Sequence, residues 1–246
     1  MALYLTSTFG GYYKQDGVMI PIQINTENGL LASLRQRWRE NARVLLISSD
    51  PDNAEKNDSI HKALSAAFPM SGLSLGRMDL CDGRREALAE NLYGYHGVIL
   101  AGGHVPTQNR FFARLCLKER MKSFEGLVMG ISAGAMNCAQ VVYAQPELEG
   151  ESIDPTYERF LPGLGLTRLM VLPHYQSIKD DILDGKLLFK DITYPDSLGR
   201  EFYAIEDGSY FLVEGGTTTL YGAGYLIKDG TIRQICGMDD HIRIDC

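Results

Sequence analysis

Two short apolar segments, each followed by a glycine-rich turn and a helical pattern, narrow the choice of fold for this chain. They cover residues 97–101 (GVILA) and 126–131 (GLVMGI), and residues 43–48 (RVLLIS) are apolar in the same way. Strands buried on both faces have such continuous apolar sequences, because helices cover both sides of a parallel sheet. From residue 202 onward the segments indicate further strands, joined by short turns such as Lys228-Asp229-Gly230. We therefore predict an α/β fold, in which a three-layer, doubly wound and mostly parallel sheet carries an antiparallel β-rich C-terminal extension.

The rest of the pattern predicts a single domain with several helices. No segment rich in proline, glycine and serine divides the chain, so we expect one domain over residues 1–246. Apolar residues make up 45% of the chain, which excludes a disordered chain and supplies material for a large core. The helical spacing of apolar residues predicts several helices, among them residues 26–40, 84–92 and 177–189. The polar segment 144–162 is expected to form a long loop.

Charge and cysteine content restrict the partners and the location that we expect. The chain has 24 basic and 31 acidic residues, a net charge of −7, which disfavours binding to nucleic acid or to an anionic membrane surface. No stretch approaches about 18 apolar residues, and the N-terminal segment lacks an apolar signal-peptide core, so neither a membrane span nor a signal peptide is expected. The five cysteines are spread without a CxxC pair, which is typical of a reduced cytoplasmic protein and gives little support to a zinc or redox site.

The turn after residue 129 contains a candidate nucleophile. Residues 130–134 (GISAG) match the pattern G-x-S-x-G, in which a sharp turn from strand to helix exposes the serine hydroxyl. Ser132 is the serine of this pattern. The N–H of Ala133 would lie at the start of the helix, where a negative charge is stabilised. The alternative is an ordinary glycine-rich turn in which Ser132 caps the helix.

The turn after residue 100 would bring further groups to the same edge of the sheet. Open α/β sheets bind ligands at the carboxyl ends of their strands. In residues 101–104 (AGGH), the backbone N–H groups of Gly102 and Gly103 could complete an oxyanion hole, and His104 could touch the substrate. A plain left-handed turn before a helix is the alternative for this segment.

A serine nucleophile needs a general base, and the base needs a carboxylate that fixes its orientation. His174 ends an apolar strand in the segment VLPHY and would face the same edge as Ser132. Glu206 and Asp207 follow the strand segment FYAI and are the candidate acids, with Glu206 preferred. The other histidines and the loop acids fit these roles less well: His61, His96, His104, His241, Glu147, Glu149, Glu151 and Asp154. The order Ser, His, acid also differs from the Ser, acid, His order of the α/β-hydrolases.

Five segments between residues 97 and 216 resemble one known family. They are ILAGG before a helix, GISAGA, PGLGL, LPHYQ and AIEDGSYFLVEGG. This combination is similar to the serine peptidases of family S51, the group of aspartyl dipeptidase (peptidase E) and cyanophycinase. Their fold is like that of the class I glutamine amidotransferases, with a flavodoxin-like core.

The resemblance implies roles for particular residues. Ser132 would be the nucleophile, His174 the base and Glu206 the third member of the triad, with Gly103 and Ala133 as oxyanion donors. Two further residues would contact the substrate: Gly102 and His104. The activity implied is that of a cytoplasmic serine exopeptidase or dipeptidase on short peptides with an N-terminal aspartate. No metal or organic cofactor is implied, and the chain would act as a monomer or homodimer.

One position departs from the family pattern and keeps other functions open. The family's first glycine turn continues with Asn or Asp, whereas His104 stands there in this chain. An amidase or esterase acting on another small acidic substrate is one alternative, and a non-catalytic sensor or binding module on the same fold is the other. A glutamine amidotransferase would need cysteine in place of Ser132. An acidic substrate would need a local cation, for which six residues are candidates: Arg110, Arg114, Arg159, Arg168, Lys179 and Lys186.

Overall fold

The structure of the protein is a computed structural model that describes residues 1–245. The strands are β1 (Ala2–Thr6), β2 (Gly10–Gln15), β3 (Val18–Ile24), β4 (Ala42–Ile47), β5 (Leu75–Cys81), β6 (Gly97–Leu100), β7 (Leu127–Ile131), β8 (Val141–Tyr143), β9 (Phe160–Pro162), β10 (Met170–Leu172), β11 (Ile182–Leu183), β12 (Lys186–Leu187), β13 (Glu201–Ile205), β14 (Tyr210–Glu214), β15 (Thr217–Tyr221), β16 (Gly224–Lys228), β17 (Thr231–Cys236) and β18 (His241–Ile244). The α-helices are α1 (Leu30–Arg37), α2 (Ala54–Met70), α3 (Val105–Arg114), α4 (Leu117–Met121), α5 (Ala133–Asn137), α6 (Tyr175–Ile178) and α7 (Tyr194–Asp196). Short 3-10 helices cover Glu27–Gly29 and Glu86–Ala89, and a π-helix covers Leu188–Thr193.

The main sheet has eight strands in the order β18-β15-β14-β1-β7-β6-β4-β5. Strands β1, β7, β6, β4 and β5 run parallel, while β14, β15 and β18 extend the sheet in antiparallel pairs. A second sheet has the order β10-β13-β16-β17, in which only the β10–β13 pair is parallel. This architecture confirms the predicted α/β fold with a mostly parallel central sheet and antiparallel strands toward the C-terminus.

The main sheet is buried on both faces because alternate residues of a strand point to opposite sides. In β1, Leu3 and Leu5 enter the apolar cluster that contains Phe111 of α3. Tyr4 enters the cluster on the other face, which contains Leu64 of α2. The continuous apolar sequences of the central strands therefore reflect two cores rather than one. No helix within residues 1–245 is long and apolar enough to cross a membrane.

A third apolar cluster joins the second sheet to the helix that follows Ser132. It contains Ala133 and Met136 of α5, Leu172 of β10 and Phe202 of β13. Because these side chains pack together, the end of β10 is held beside the start of α5. This contact brings the carboxyl edges of the two sheets together.

Three predicted helices differ from the structure. The helix predicted at 177–189 is wrong, because α6 ends at Ile178 and the hairpin β11–β12 follows it. At the turn of this hairpin Asp184 has a φ of 52° and Gly185 a φ of 78°, and such left-handed backbone interrupts a helix. The helix predicted at 26–40 shortens to α1, since Asn28 also has a positive φ. Only a short 3-10 helix forms within 84–92.

The loop and hairpin predictions are partly confirmed. The predicted loop 144–162 is irregular except at its end, where β9 pairs with β8. The hairpin β2–β3 was not predicted, and it packs against α2. The turn at Lys228-Asp229-Gly230 does join β16 to β17, with positive φ at Asp229 and Gly230.

Candidate active site

The carboxyl ends of three neighbouring strands, β1, β6 and β7, meet at one edge of the main sheet. Thr6 at the end of β1 pairs with Ile131 at the end of β7, and β6 lies on the other side of β7. The residues that directly follow these strands, Ser7 and Ser132, are therefore neighbours. His174 reaches the same place from the end of β10 in the second sheet.

Ser132 is held in an unusual backbone conformation between β7 and α5. Its φ of 50° and ψ of −113° lie outside the helical and extended regions. Such a conformation costs about 1–3 kcal/mol and persists only where the surrounding structure fixes it. Here the N–H of Ser132 donates to the carbonyl of Thr6 at 2.9 Å. The turn places the Ser132 Oγ 2.9 Å from Nε2 of His174.

Two glycines allow the backbones around this turn to approach each other. A Cβ on Gly130 would lie 2.7 Å from the backbone nitrogen of Ala135, and a Cβ on Gly134 would overlap the carbonyl oxygen of Leu100. Real Cβ atoms do not approach backbone so closely, so the turn requires glycine at both positions. The spacing of glycines around Ser132 is thus set by packing between β6, β7 and α5.

His174 is oriented from both sides of its ring and through its backbone. Its φ of 61° is left-handed, and its N–H donates to Ser7 Oγ at 2.8 Å. Its Nδ1 lies 2.7 Å from Asp207 Oδ1. An ionised carboxylate only accepts hydrogen bonds, so Nδ1 carries the proton and Nε2 is free to accept one from Ser132. This is the tautomer that a general base for Ser132 needs.

Asp207 is kept ionised by its hydrogen bonds. Its Oδ1 accepts from His174 and also from the Ser7 hydroxyl at 2.6 Å, and its backbone N–H donates to Gln176 Oε1 at 3.0 Å. Burial by itself raises the pKa of the Asp207 carboxyl, but the hydrogen bonds from His174 and Ser7 outweigh it and hold the pKa below its usual range. The carboxylate can therefore stabilise a positive charge on His174.

Glu206 was predicted to lie beside His174, but in the structure its side chain binds another residue. Its Oε1 accepts a hydrogen bond from the hydroxyl of Tyr225 at 2.6 Å. Tyr225 lies opposite Ala204 in the pairing of β13 with β16, and Glu206 is two residues beyond Ala204, on the same face. Successive residues point to opposite faces, so the next residue, Asp207, is the one directed to His174. Of the two candidate acids, Asp207 is therefore the one that lies beside His174 in the structure.

The turn after β6 borders the cavity beside Ser132. Ser49 Oγ donates to the carbonyl of Gly102 at 2.7 Å. In a planar trans peptide the N–H of Gly103 points away from that carbonyl, and Gly103 lines the same cavity as Ser132 and Ala133. A Cβ on Gly103 would lie 2.6 Å from Ser49 Cβ, so the close contact requires glycine. Gly103 and Ala133 thus both lie at the cavity that contains the Ser132 hydroxyl.

His104 and Gly102, the predicted substrate contacts, do not line this cavity. The two ring nitrogens of His104 lie 2.9 Å from Thr107 Oγ1 and 2.8 Å from Glu151 Oε1. The other oxygen of Glu151 accepts the N–H groups of Glu147 and Leu148, both at 2.9 Å. In the structure His104 therefore fixes the loop that borders the cavity.

The cavity beside Ser132 has a volume of about 240 Å³. Its walls are mostly apolar, and its polar side chains away from the reacting groups are Gln145, Glu147 and Asp181. None of the six cations proposed from the sequence is among the residues that line it. Five of them bind other groups: Arg159 binds Asp196, Arg114 binds Glu86, Lys179 binds Asp180, Lys186 binds the carbonyl of Ser152, and Arg110 binds the hydroxyl of Thr107.

Ser7 is the functional residue that the sequence reasoning missed. It is completely buried, and it links the backbone of His174 to the carboxylate of Asp207. Its position directly after β1, at the same edge as Ser132, was the available signal. A hydroxyl after a weakly predicted strand carries no motif of its own, so only the strand order identifies it. Within residues 1–245 no three metal-ligating side chains come together.

Comparisons with known proteins identify a family and a shared fold. The model of peptidase family S51 matches residues 23–221. A crystal structure described as that of a "Putative Peptidase E Protein from Listeria monocytogenes EGD-e" superposes with a TM-score of 0.57 and 15% sequence identity, over 95% of this chain and 98% of that one. At this identity the superposition shows a shared fold. Among curated proteins, the search found no match.

Proposed function

Because the chain belongs to peptidase family S51 and is a serine peptidase, we propose that it hydrolyses short peptides through Ser132, His174 and Asp207. The observation that carries the proposal is the row of hydrogen bonds through one imidazole. Ser132 Oγ lies 2.9 Å from Nε2, and Asp207 Oδ1 lies 2.7 Å from Nδ1. These are the distances that proton transfer between a serine, a histidine and an orienting acid requires.

The first half of the reaction forms an acyl-enzyme. His174 Nε2 accepts the proton of Ser132 as the Oγ bonds to the carbonyl carbon of the substrate. The carbonyl oxygen becomes an oxyanion, and the N–H groups of Gly103 and Ala133 stabilise it. When the carbon–nitrogen bond breaks, the leaving amine takes the proton from His174. Asp207 stabilises the imidazolium that exists between these two proton transfers.

The second half releases the acid and restores the enzyme. Water enters in place of the amine, and His174 Nε2 accepts one of its protons as its oxygen bonds to the acyl carbon. The bond to Ser132 Oγ then breaks, and the proton returns from His174 to Ser132. These steps need no reactant other than the peptide and water.

The size of the cavity supports a short substrate. A volume of about 240 Å³ is below the range of ~300–1,000 Å³ typical of sites for drug-sized ligands. The N-terminal aspartate implied by the resemblance would need a cation in the walls, and no lysine or arginine within residues 1–245 lines the cavity. The proposed substrate is therefore a short peptide, for which the aspartate preference stays an expectation from the resemblance alone. The cytoplasmic location and the monomeric or homodimeric state are likewise expectations from the sequence alone.

Replacement of the nucleophile tests the proposal. We expect Ser132→Ala to reduce kcat toward aminoacyl p-nitroanilides and dipeptides by about 10⁴-fold or more. A fluorophosphonate probe should label the wild-type protein at Ser132 and leave the variant unlabelled. Activity retained in Ser132→Ala would contradict the mechanism. A folded wild-type protein that neither reacts with the probe nor cleaves any peptide would instead indicate a binding module.

A further inference from the structure

The polar side chains of the cavity beside Ser132 all offer hydrogen-bond acceptors. Apart from the reacting residues and the backbone, the polar side chains that line it are Gln145, Glu147 and Asp181. When ionised, the two carboxylates carry negative charge and only accept hydrogen bonds. The remaining walls are apolar: Val105, Met136, Pro146, Pro173, Ile178, Ile182, Leu183 and Leu188.

Gln145 adds a third acceptor, whose orientation is fixed by its neighbours. Its side chain is 9% exposed, and its Nε2 donates to Thr193 Oγ1 at 2.7 Å. The Thr193 hydroxyl donates to the carbonyl of Leu188, so it can only accept from Gln145. This assignment leaves Oε1 as the free atom of the amide, and no group within residues 1–245 donates to it. The Oε1 atom is itself accessible, so a ligand in the cavity that Gln145 lines can donate to it.

The two carboxylates are also available to a ligand. Within residues 1–245 neither Glu147 nor Asp181 has a side-chain hydrogen bond or an ion pair with a lysine or arginine. Their neighbours are paired with other groups, as Lys179 is with Asp180 and Glu151 is with His104. Two unpaired carboxylates beside an apolar wall repel an anionic side chain and attract a cation.

We infer that this cavity selects a substrate residue that combines an apolar surface with a cationic nitrogen, and that it disfavours an N-terminal aspartate. The inference rests on the proposed function only in taking the occupant to be part of a peptide substrate. Glu147 and Asp181 bind the cation, Gln145 Oε1 accepts a further N–H, and the aliphatic walls hold the carbon atoms. The cation is either the protonated amino terminus of the peptide or a lysine or arginine side chain.

Four aminoacyl p-nitroanilides separate these cases. Leu-p-nitroanilide carries only the terminal ammonium, Nα-acetyl-Arg-p-nitroanilide only the side-chain cation, Nα-acetyl-Leu-p-nitroanilide no charge, and Asp-p-nitroanilide an added carboxylate. We expect kcat/KM to be at least tenfold lower for the aspartyl compound than for the leucyl one. At least one cationic substrate should exceed the acetyl-leucyl compound, and which one does so identifies the source of the cation.

Matched substitutions test whether the two carboxylates cause this order. The double variant Glu147→Gln/Asp181→Asn should raise KM for the favoured cationic substrate about five- to twentyfold with little change in kcat, because Glu147 and Asp181 are exposed and an exposed charge pair contributes up to about fivefold. The same variant should narrow the gap to Asp-p-nitroanilide, and 1 M salt should weaken the preference only in the wild type. Glu149→Gln, a loop carboxylate outside the cavity, should change nothing. The inference is overturned if the aspartyl substrate is preferred, or if the double variant leaves the order intact.

The inference can be tested even if the proposed function fails. Calorimetry on the Ser132→Ala protein can measure binding of leucinamide, Nα-acetyl-argininamide, Nα-acetyl-leucinamide and aspartic acid α-amide without turnover. Tighter binding of a cationic amide than of the neutral and acidic ones supports the inference. Equal binding of all four, or tightest binding of the acidic amide, overturns it. An absence of cleavage by the wild-type enzyme would count only against the peptidase mechanism.

Discussion

The substitution Asp207→Asn tests the assignment of the third catalytic group most directly. An asparagine fits the same space, but it removes the negative charge and offers an N–H to His174 Nδ1. Nδ1 must then accept a hydrogen bond, so the proton moves to Nε2, which no longer accepts one from Ser132. The same loss of charge leaves the imidazolium formed during the reaction without its carboxylate.

The size of the effect follows from these two losses. A hydrogen bond to a charged group contributes about 1.5–3 kcal/mol, and the unfavourable tautomer adds a similar amount. The side chains of His174 and Asp207 are 33% and 35% exposed, so water screens part of the charge interaction and the lower values apply. A combined loss of about 3 kcal/mol corresponds to a fall in kcat of about 150-fold.

The neighbouring acid supplies the control. Glu206→Gln makes the same chemical change one residue away, where the side chain binds Tyr225, and we expect its kcat to stay within about threefold of the wild type. The assay is steady-state hydrolysis of the best chromogenic amide, with circular dichroism to confirm that both variants fold. If Asp207→Asn kept more than a tenth of the wild-type kcat, or if Glu206→Gln were the more damaging change, the reasoning from the hydrogen-bond geometry would be refuted.

Three further predictions follow from the same contacts. Ser7→Ala should lower kcat about tenfold with KM nearly unchanged, because it removes the acceptor for the His174 N–H and a donor to Asp207. This fall corresponds to a loss of about 1.4 kcal/mol in the transition state. Steady-state kinetics in which only KM changed would contradict the prediction. Gly103→Ala should lower kcat by about 10²-fold, since the new methyl group displaces the turn from Ser49 and moves one oxyanion donor; a variant with full kcat would show that this N–H takes no part. The pKa of Asp207 is lower in the folded protein than in the unfolded chain, so its ionised form contributes stability above the unfolded value of about 3.9, and that contribution is lost as the pH falls through the folded pKa. Urea unfolding should therefore show Asp207→Asn to be less stable than the wild type at pH 7, with a difference that shrinks as the pH falls below the unfolded value of about 3.9. A constant difference would contradict the linkage.

The part of the site that could be predicted is the part encoded in short segments. The segments around Ser132 and Gly103 were identified because a buried strand, a glycine turn and a helix follow one another directly in the sequence. His174 was found because it ends an apolar strand. These features are local, and close packing restricts the residue types in them. At Gly134, for example, there is no space for a larger residue.

The part that failed depends on pairing between distant strands. Whether Glu206 or Asp207 faces the histidine is decided by the register of β13 against β10 and β16, and a shift of one residue reverses the answer. Ser7 became visible only once β1 was seen beside β7. The helix predicted at 177–189 failed because its apolar spacing did not reveal the left-handed turn at Asp184 and Gly185.

The hydrogen bonds of the site connect residues that are far apart in the chain. Ser132 is 42 positions before His174, His174 is 33 before Asp207, and Ser7 is 200 before Asp207. A domain that emerges from the ribosome from its N-terminus has the serine long before it has the acid. The base is therefore left without its orienting group until β13 has been made and paired with β10. If Asp207 orients the base as proposed, we expect a partly made chain to lack peptidase activity until this pairing has formed.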